Sequence, residues 1–315
     1  MVLDTEQSDP WQGHSPLGSH PENYYCQAPG WYLAEAFVPW QYTGGTAKLF
    51  GAGIGVNTAG GLTTVQGQQH LTNSGVNPGT FGADLVQLLR TGEPGSSGSD
   101  YVQLQAFTTG TSLALDGSGT NFPRLSLRWA GTGAASSLGI PANASFPVPP
   151  AYVDEAWLNA NVRDALKYLE NPPLLRYSAS GGGGLASGTW PSGTVIPLGT
   201  LGVDNRSAWS GSAWTCPEPG VHYIYAQSGV AASTLAAGAY ATGITINGTT
   251  TWGSAAFAPQ AGSSGLDVFT GASGRFRLSA GDTVSLSGFQ NSGGSLTLAF
   301  GAGDGIRLVI AWESA

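Results

Sequence analysis

The sequence predicts an all-β protein made of two tandem jelly-roll β-sandwich domains joined by a short α-helix. The 315 residues include 49 glycines and only 10% charged residues, against roughly 25% charged residues in typical soluble proteins. Hydrophobic residues make up 41% of the chain, which is enough to build folded cores. An internal repeat supports two domains of ordinary size.

The internal repeat consists of four blocks that recur in the same order, with offsets of 182 to 190 residues. The blocks are Cys26–Trp31 with Cys216–Val221, Gly53–Asn57 with Gly243–Asn247, Asp100–Phe107 with Asp282–Phe289, and Arg124–Trp129 with Arg307–Trp312. Collinear blocks whose offset drifts only with loop length indicate a duplicated domain. Because Cys26 and Cys216 occupy equivalent positions, we expect two separate buried thiols and no disulfide.

Alternating apolar and polar residues predict the strands. Val102 and Leu104 alternate with glutamines, which is the period of a half-buried antiparallel strand. An Asn-Gly pair at 247–248 lies between two β-rich runs and predicts a hairpin. Pro-Gly pairs at 29–30 and 219–220 predict turns that precede the equivalent strand of each domain.

One segment is predicted to be helical. Asp154 can cap its start, and Asn171-Pro172-Pro173 ends it. Its apolar stripe consists of Leu158, Val162, Leu166 and Leu169. Spacings of three and four are typical of an amphipathic helix. Two interpretations of the stripe remain: it covers the base of a neighbouring β domain, or it forms a three-helix bundle across a trimer axis.

These features set the expected domain limits. They are an N-terminal arm at 1–23, a first jelly-roll-like domain at 24–150, a linker helix at 151–175 and a second jelly-roll domain at 176–315. The glycine-rich run at 178–184 is expected to be a flexible connector.

Motifs of catalysis or metal binding are not found in the sequence. The four histidines lack the spacing of a helical zinc site, and no Cys-x-x-Cys pair, nucleophile elbow or phosphate loop is present. Glu35 is the most conspicuous acid within a strand, but its repeat counterpart is Tyr225, so the repeat offers no second carboxylate there. We therefore expect no enzymatic activity, no cofactor and no metal.

Charge and hydropathy exclude several partners. The net charge is −8 and no basic run exists, which argues against binding to nucleic acid or to an anionic membrane. No run of 18 apolar residues is present, so we expect no membrane insertion. The first residues show no secretion signal, so we expect synthesis in a host cytoplasm and exit inside an assembled particle.

Aromatic residues give the best indication of a binding surface. The chain has ten tryptophans, and Trp190, Trp209 and Trp252 lie in the first half of the second domain. Two interpretations are open for these three residues. They can pack in the core or between subunits, or they can form an exposed patch that stacks on sugars.

Four segments of the second domain carry a family resemblance. They are 214–223 (WTCPEPGVHY), 246–248 (ING), 278–284 (LSAGDTV) and 307–310 (RLVI). These segments resemble the globular head shared by complement-type and tumour-necrosis-factor proteins, over about 200–315 and, through the repeat, over about 24–130. The resemblance implies a ten-stranded jelly roll that forms a homotrimer, with the faces of three heads buried around one axis. The chain departs from that family in its high Gly and Ala content and in lacking a collagen stalk.

The segment Tyr152–Pro173 is similar to one that precedes a C-terminal head in virion proteins of tailed phages of actinobacteria. This resemblance implies a phage virion structural protein of the minor-tail, fibre or spike type, which assembles with other virion proteins and contacts a host-surface glycan or protein. One alternative is a capsid or tail decoration protein with no receptor. Another is a glycan-processing virion enzyme.

Overall fold

Nearly all of the regular secondary structure in the described residues is antiparallel β structure, as the sequence predicts. The structure is a computed structural model that describes residues 23–42, 48–59, 61–72, 79–91, 98–108, 113–115, 122–134, 162–179, 184–231, 238–253, 256–258, 267–299 and 305–314. Most of the predicted N-terminal arm, the predicted helix cap Asp154 and the stripe residue Leu158 lie outside these residues.

The first domain is a sandwich of two sheets. Its strands are β1 (Asn23–Tyr25), β2 (Gly30–Tyr42), β3 (Lys48–Thr58), β4 (Gly61–Thr72), β5 (Gly79–Leu88), β6 (Tyr101–Thr108), β7 (Leu113–Leu115) and β8 (Arg124–Gly131). One sheet has the order β1-β6-β3-β4, and in the other β5 and β8 flank β2, with β7 pairing further along β2. Tyr32, Ala36 and Val38 of β2 form a core with Ile54 and Leu104 of the facing sheet.

The second domain repeats this plan with more strands. They are β9 (Leu174–Ser178), β10 (Gly184–Leu185), β11 (Thr194–Val195), β12 (Thr200–Asp204), β13 (Trp214–Thr215), β14 (Gly220–Val230), β15 (Gly238–Ile246), β16 (Thr249–Trp252), β17 (Ala256–Ala258), β18 (Val268–Leu278), β19 (Thr283–Gln290), β20 (Leu296–Thr297) and β21 (Arg307–Ser314). The order β12-β9-β21-β14-β18 defines the interface sheet, and β11-β19-β15-β16, joined by β13 and β17, defines the outer sheet. β10 pairs with β20. Leu308 and Ile310 pack against Ile244 and Leu286 between the sheets.

The two cysteines occupy matching places in the two domains. The Cys26 thiol donates to the carbonyl oxygen of Ala28, and the Cys216 thiol donates to that of Glu218. Both thiols are free and buried, which confirms the prediction that they do not pair. Burial raises the pKa of both thiols, that of Cys216 to about 11, so both stay protonated at neutral pH.

The first domain packs directly on the interface sheet of the second domain. The apolar side chains that meet here are Leu33, Ala83, Leu85 and Ala130 from the first domain, and Leu174, Val203, Tyr223, Tyr225, Val309 and Ala311 from the second. Strands β14 and β21 are therefore buried on both faces. This face of the second domain is covered within the chain by the first domain.

An ion-paired cluster lies inside this interface. Asp84 of β5 accepts two hydrogen bonds from Arg176 of β9, at 2.8 Å from Nε and 2.9 Å from Nη2. Arg307 of β21 lies 3.8 Å from the same carboxylate and donates to the carbonyl oxygen of Ala83. Asp84 and Arg307 are both fully buried. Because a buried charge is costly unless it is paired, these contacts fix how the two domains meet.

The linker helix packs on the second domain through Tyr168 and exposes the described residues of its apolar stripe. Helix α1 (Asp164–Glu170) buries Tyr168, whose ring packs edge-on against Trp312 at 5.2 Å. Val162, Leu166 and Leu169 are exposed instead. The interpretation in which the stripe covers a neighbouring β domain therefore does not hold for these three residues.

None of the helices described is long and apolar enough to cross a membrane.

Candidate functional site

The outer sheet presents aromatic and hydroxyl side chains on the face that points away from the core. Side chains alternate along a strand, so Ile244 and Leu286 face the core while Gly243 and Ser287 face outward. Gly243 of β15 pairs with Ser287 of β19 on one side and with Trp252 of β16 on the other. The outward face therefore combines residues from three neighbouring strands.

Three rings form what we call the aromatic patch: Trp190, Trp252 and Phe289. The Trp190 ring lies 5.3 Å from Trp252 and 5.1 Å edge-on from Phe289. Phe289 is buried beneath the two indoles, whereas Trp190 is 54% exposed. A large exposed indole on a polar surface is typical of a site that contacts a partner.

Two glycines make room for the Trp252 indole. A Cβ at Gly193 would clash with the Trp252 ring, and one at Gly243 would lie 2.9 Å from its Cε3 atom. The indole therefore rests on bare backbone at both positions, between β15 and the turn that carries Trp190. This close packing holds the aromatic patch in place in the absence of a ligand.

Beside the aromatic patch lies a hydroxyl cluster of Thr245, Thr250 and Ser287. The Thr245 hydroxyl is 2.8 Å from that of Thr250 and 2.7 Å from that of Ser287. Thr245 and Ser287 are buried, and Thr250 is partly exposed. A row of hydroxyls can both donate and accept hydrogen bonds, as the hydroxyls of a polar neutral ligand require.

The predicted tryptophans separate into two groups. Trp190 and Trp252 come together, but Trp209 stacks on Tyr177 at 4.7 Å and packs against the core of the second domain. Trp209 is therefore a packing residue and lies outside the aromatic patch. Phe289 and the hydroxyl cluster were missed by sequence reasoning, because threonines and serines spaced along separate strands give no local signal.

The close pair of Cys216 and His222 is held in uncharged forms. Cys216 and His222 lie 3.9 Å apart, but both are buried, and burial lowers the pKa of His222 to about 4 while it raises that of the thiol. A neutral thiol beside a neutral imidazole of low basicity is a poor nucleophile. Within the described residues no three His, Cys, Asp or Glu side chains are grouped to hold a metal.

Comparison with known proteins gives fold similarity only. No protein-family model matches the chain, and no curated protein matches it. Among solved structures, it is similar to the globular domain of zebrafish complement 1qA protein, with a TM-score of 0.32 and 10% identity over 45% of this chain and 99% of that one. It is also similar to murine APRIL at pH 5.0, with a TM-score of 0.33 and 11% identity over 45% of this chain and 98% of that one. Murine APRIL at pH 8.0 gives a TM-score of 0.32 and 12% identity. These are complement- and tumour-necrosis-factor-like head domains.

Proposed function

We propose that this chain is a non-enzymatic structural protein of a tailed-phage virion, of the minor-tail, fibre or spike type, and that its second domain helps attach the particle to the host surface. The observation that carries the proposal is the exposed aromatic patch beside a hydroxyl cluster. Gly53 of the first domain and Gly243 of the second are equivalent in the repeat. Gly243 pairs with Trp252, whereas Gly53 pairs with Gln66, so the first domain has a glutamine where the second has this tryptophan. Only the second domain is therefore assigned to binding, and the first domain serves as its support.

Cosedimentation distinguishes this function from its two alternatives. We expect the purified chain to sediment with whole actinobacterial cells and to release no soluble sugar from their walls. Sedimentation with empty capsids or tail tubes, but not with cells, would instead identify a decoration protein. Release of sugar that is lost on replacing a single carboxylate would identify an enzyme.

Self-association is assigned to the linker helix. Tyr168 fixes one side of α1 to the second domain, so the stripe of Val162, Leu166 and Leu169 points away from its own chain. An apolar stripe at spacings of three and four that is held outward suits a parallel helix bundle between copies. We therefore expect a homotrimer held through this helix.

The solution mass tests the homotrimer. Light scattering should give about three times 32.1 kDa for the wild type. Leu169→Lys should yield a monomer, because it places a charge in the helix seam. Leu89→Lys is the matched control, since both leucines are 58% exposed in the single chain. The assignment would be contradicted if the wild type is a monomer at micromolar concentration. It would also be contradicted if Leu89→Lys dissociates the trimer as fully as Leu169→Lys does.

A further inference from the structure

The outer sheet lacks ionisable side chains around the aromatic patch. Strands β11, β15, β16 and β19 and the turn at 186–193 contain no Asp, Glu, Lys, Arg or His. The acid nearest to β19 in sequence is Asp282, which directly precedes the strand, whereas Phe289 lies near the strand's other end. At the usual rise per residue, Asp282 and Phe289 are about 20 Å apart. Its carboxylate is bonded to Asn247 of the hairpin.

Charged groups lie elsewhere in the second domain. Arg176 and Arg307 pair with Asp84 inside the domain interface. Arg275 and Arg128 both bond to Glu313 at 2.9 Å. These positions are on the interface sheet or beside it. Among the described residues of the outer-sheet strands and of the turn at 186–193 there is neither a cation to hold an acidic ligand nor a carboxylate to hold a basic one.

A ligand of the aromatic patch would therefore be recognised by stacking on an aromatic ring and by hydrogen bonds to hydroxyl groups. The exposed indole of Trp190 offers a flat apolar face. The hydroxyl cluster lies on the same outward face of the sheet, where Ser287 pairs with Gly243. A sugar ring matches this combination, because it has an apolar C–H face and hydroxyls around its edge. An acidic sugar would place an unpaired carboxylate here.

From this geometry we infer that the aromatic patch binds a neutral oligosaccharide, with one sugar ring stacked on Trp190 and its hydroxyls directed toward Thr250, the partly exposed member of the hydroxyl cluster. This inference rests on the proposed function and names its ligand class. A second copy of this chain is the competing occupant, and self-association of the Trp190 variant separates the two.

Titration with matched oligosaccharides tests the inference. The probes are neutral hexamers of glucose, galactose, mannose and arabinose, and a glucuronic acid hexamer with the same linkage as the glucose one. Tryptophan fluorescence and calorimetry should detect millimolar binding of at least one neutral hexamer and none of the uronic acid hexamer. Trp190→Ala should weaken binding about tenfold or more, while Leu201→Ala, a residue equally exposed at 54% on the interface sheet, should not.

The outcomes separate this inference from the proposed function. Three results would overturn the inference: preference for the uronic acid hexamer, equal binding by Trp190→Ala and the wild type, or no binding of any neutral hexamer. In each of these cases, attachment to cells would still support the proposed function. If Trp190→Ala no longer self-associates, the occupant of the aromatic patch is a second copy of this chain, and the inference is overturned as well. Absence of cell attachment would instead remove the proposed function itself.

Discussion

Replacing Asp84 with alanine should lower the free energy of unfolding by about 3–5 kcal/mol, the cost of breaking a buried ion pair. The carboxylate holds Arg176 through two hydrogen bonds and lies beside Arg307, which is fully buried. Without it, Arg176 and Arg307 lose the carboxylate that both approach in the domain interface. Urea unfolding followed by circular dichroism measures the loss.

Two further variants show where the Asp84 effect comes from. Glu170→Ala removes an exposed acid and should change stability by less than about 0.5 kcal/mol. Adding Arg176→Met to Asp84→Ala should recover part of the loss, because it removes one of the two cations that lose the Asp84 carboxylate. A loss below about 1 kcal/mol for Asp84→Ala, or a deeper loss in the double variant, would contradict the assigned role of this cluster.

Gly220→Ala should be the second most damaging change, with a loss of about 2–4 kcal/mol from steric overlap and backbone strain. Gly220 has a φ of +145°, and a Cβ there would clash with the carbonyl oxygen of Ser314 and lie 2.6 Å from Trp312 Nε1. Gly30 repeats this arrangement against Trp129. Thermal or urea unfolding measures the effect.

Gly248→Ala is the matched control for Gly220→Ala. Gly248 also has a positive φ, +80°, but a Cβ added there would have no other atom within 4 Å. The control should therefore show only the strain of the backbone, about 1 kcal/mol. If both variants lose the same stability, steric contact with β21 is not what requires glycine at position 220.

Local periodicity explains why most strands could be predicted. Val102 and Leu104 of β6 point into the core as their alternation predicts, and the Asn-Gly pair at 247–248 forms the turn between β15 and β16. The contact between the two domains could not be predicted, because Tyr223 and Tyr225 alternate with core residues and their partners are distant in sequence. A useful signal was present at Asp84, a lone charge between the apolar residues Ala83 and Leu85.

The candidate site was predicted only in part for the same reason. The sequence left packing and an exposed patch open as interpretations of the tryptophans, and the structure brings Trp190 and Trp252 together from a turn and a strand that are about 60 residues apart. The partial burial of Trp209 depends on Tyr177 of β9, whose position follows from the sheet order. The spacing of the helix stripe is a property of the sequence, whereas the contact of Tyr168 with Trp312, which turns Val162, Leu166 and Leu169 outward, is seen only in the structure.

Attachment of purified variants to host cells tests the central claim most directly. The double variant Trp190→Ala/Trp252→Ala removes the two indoles of the aromatic patch and leaves the charged domain interface unchanged. We predict that it loses most of its sedimentation with whole cells while its circular dichroism spectrum stays that of the wild type, and that Leu201→Ala binds as the wild type does. Equal attachment by the folded double variant would contradict the claim that the second domain binds the host surface through the aromatic patch.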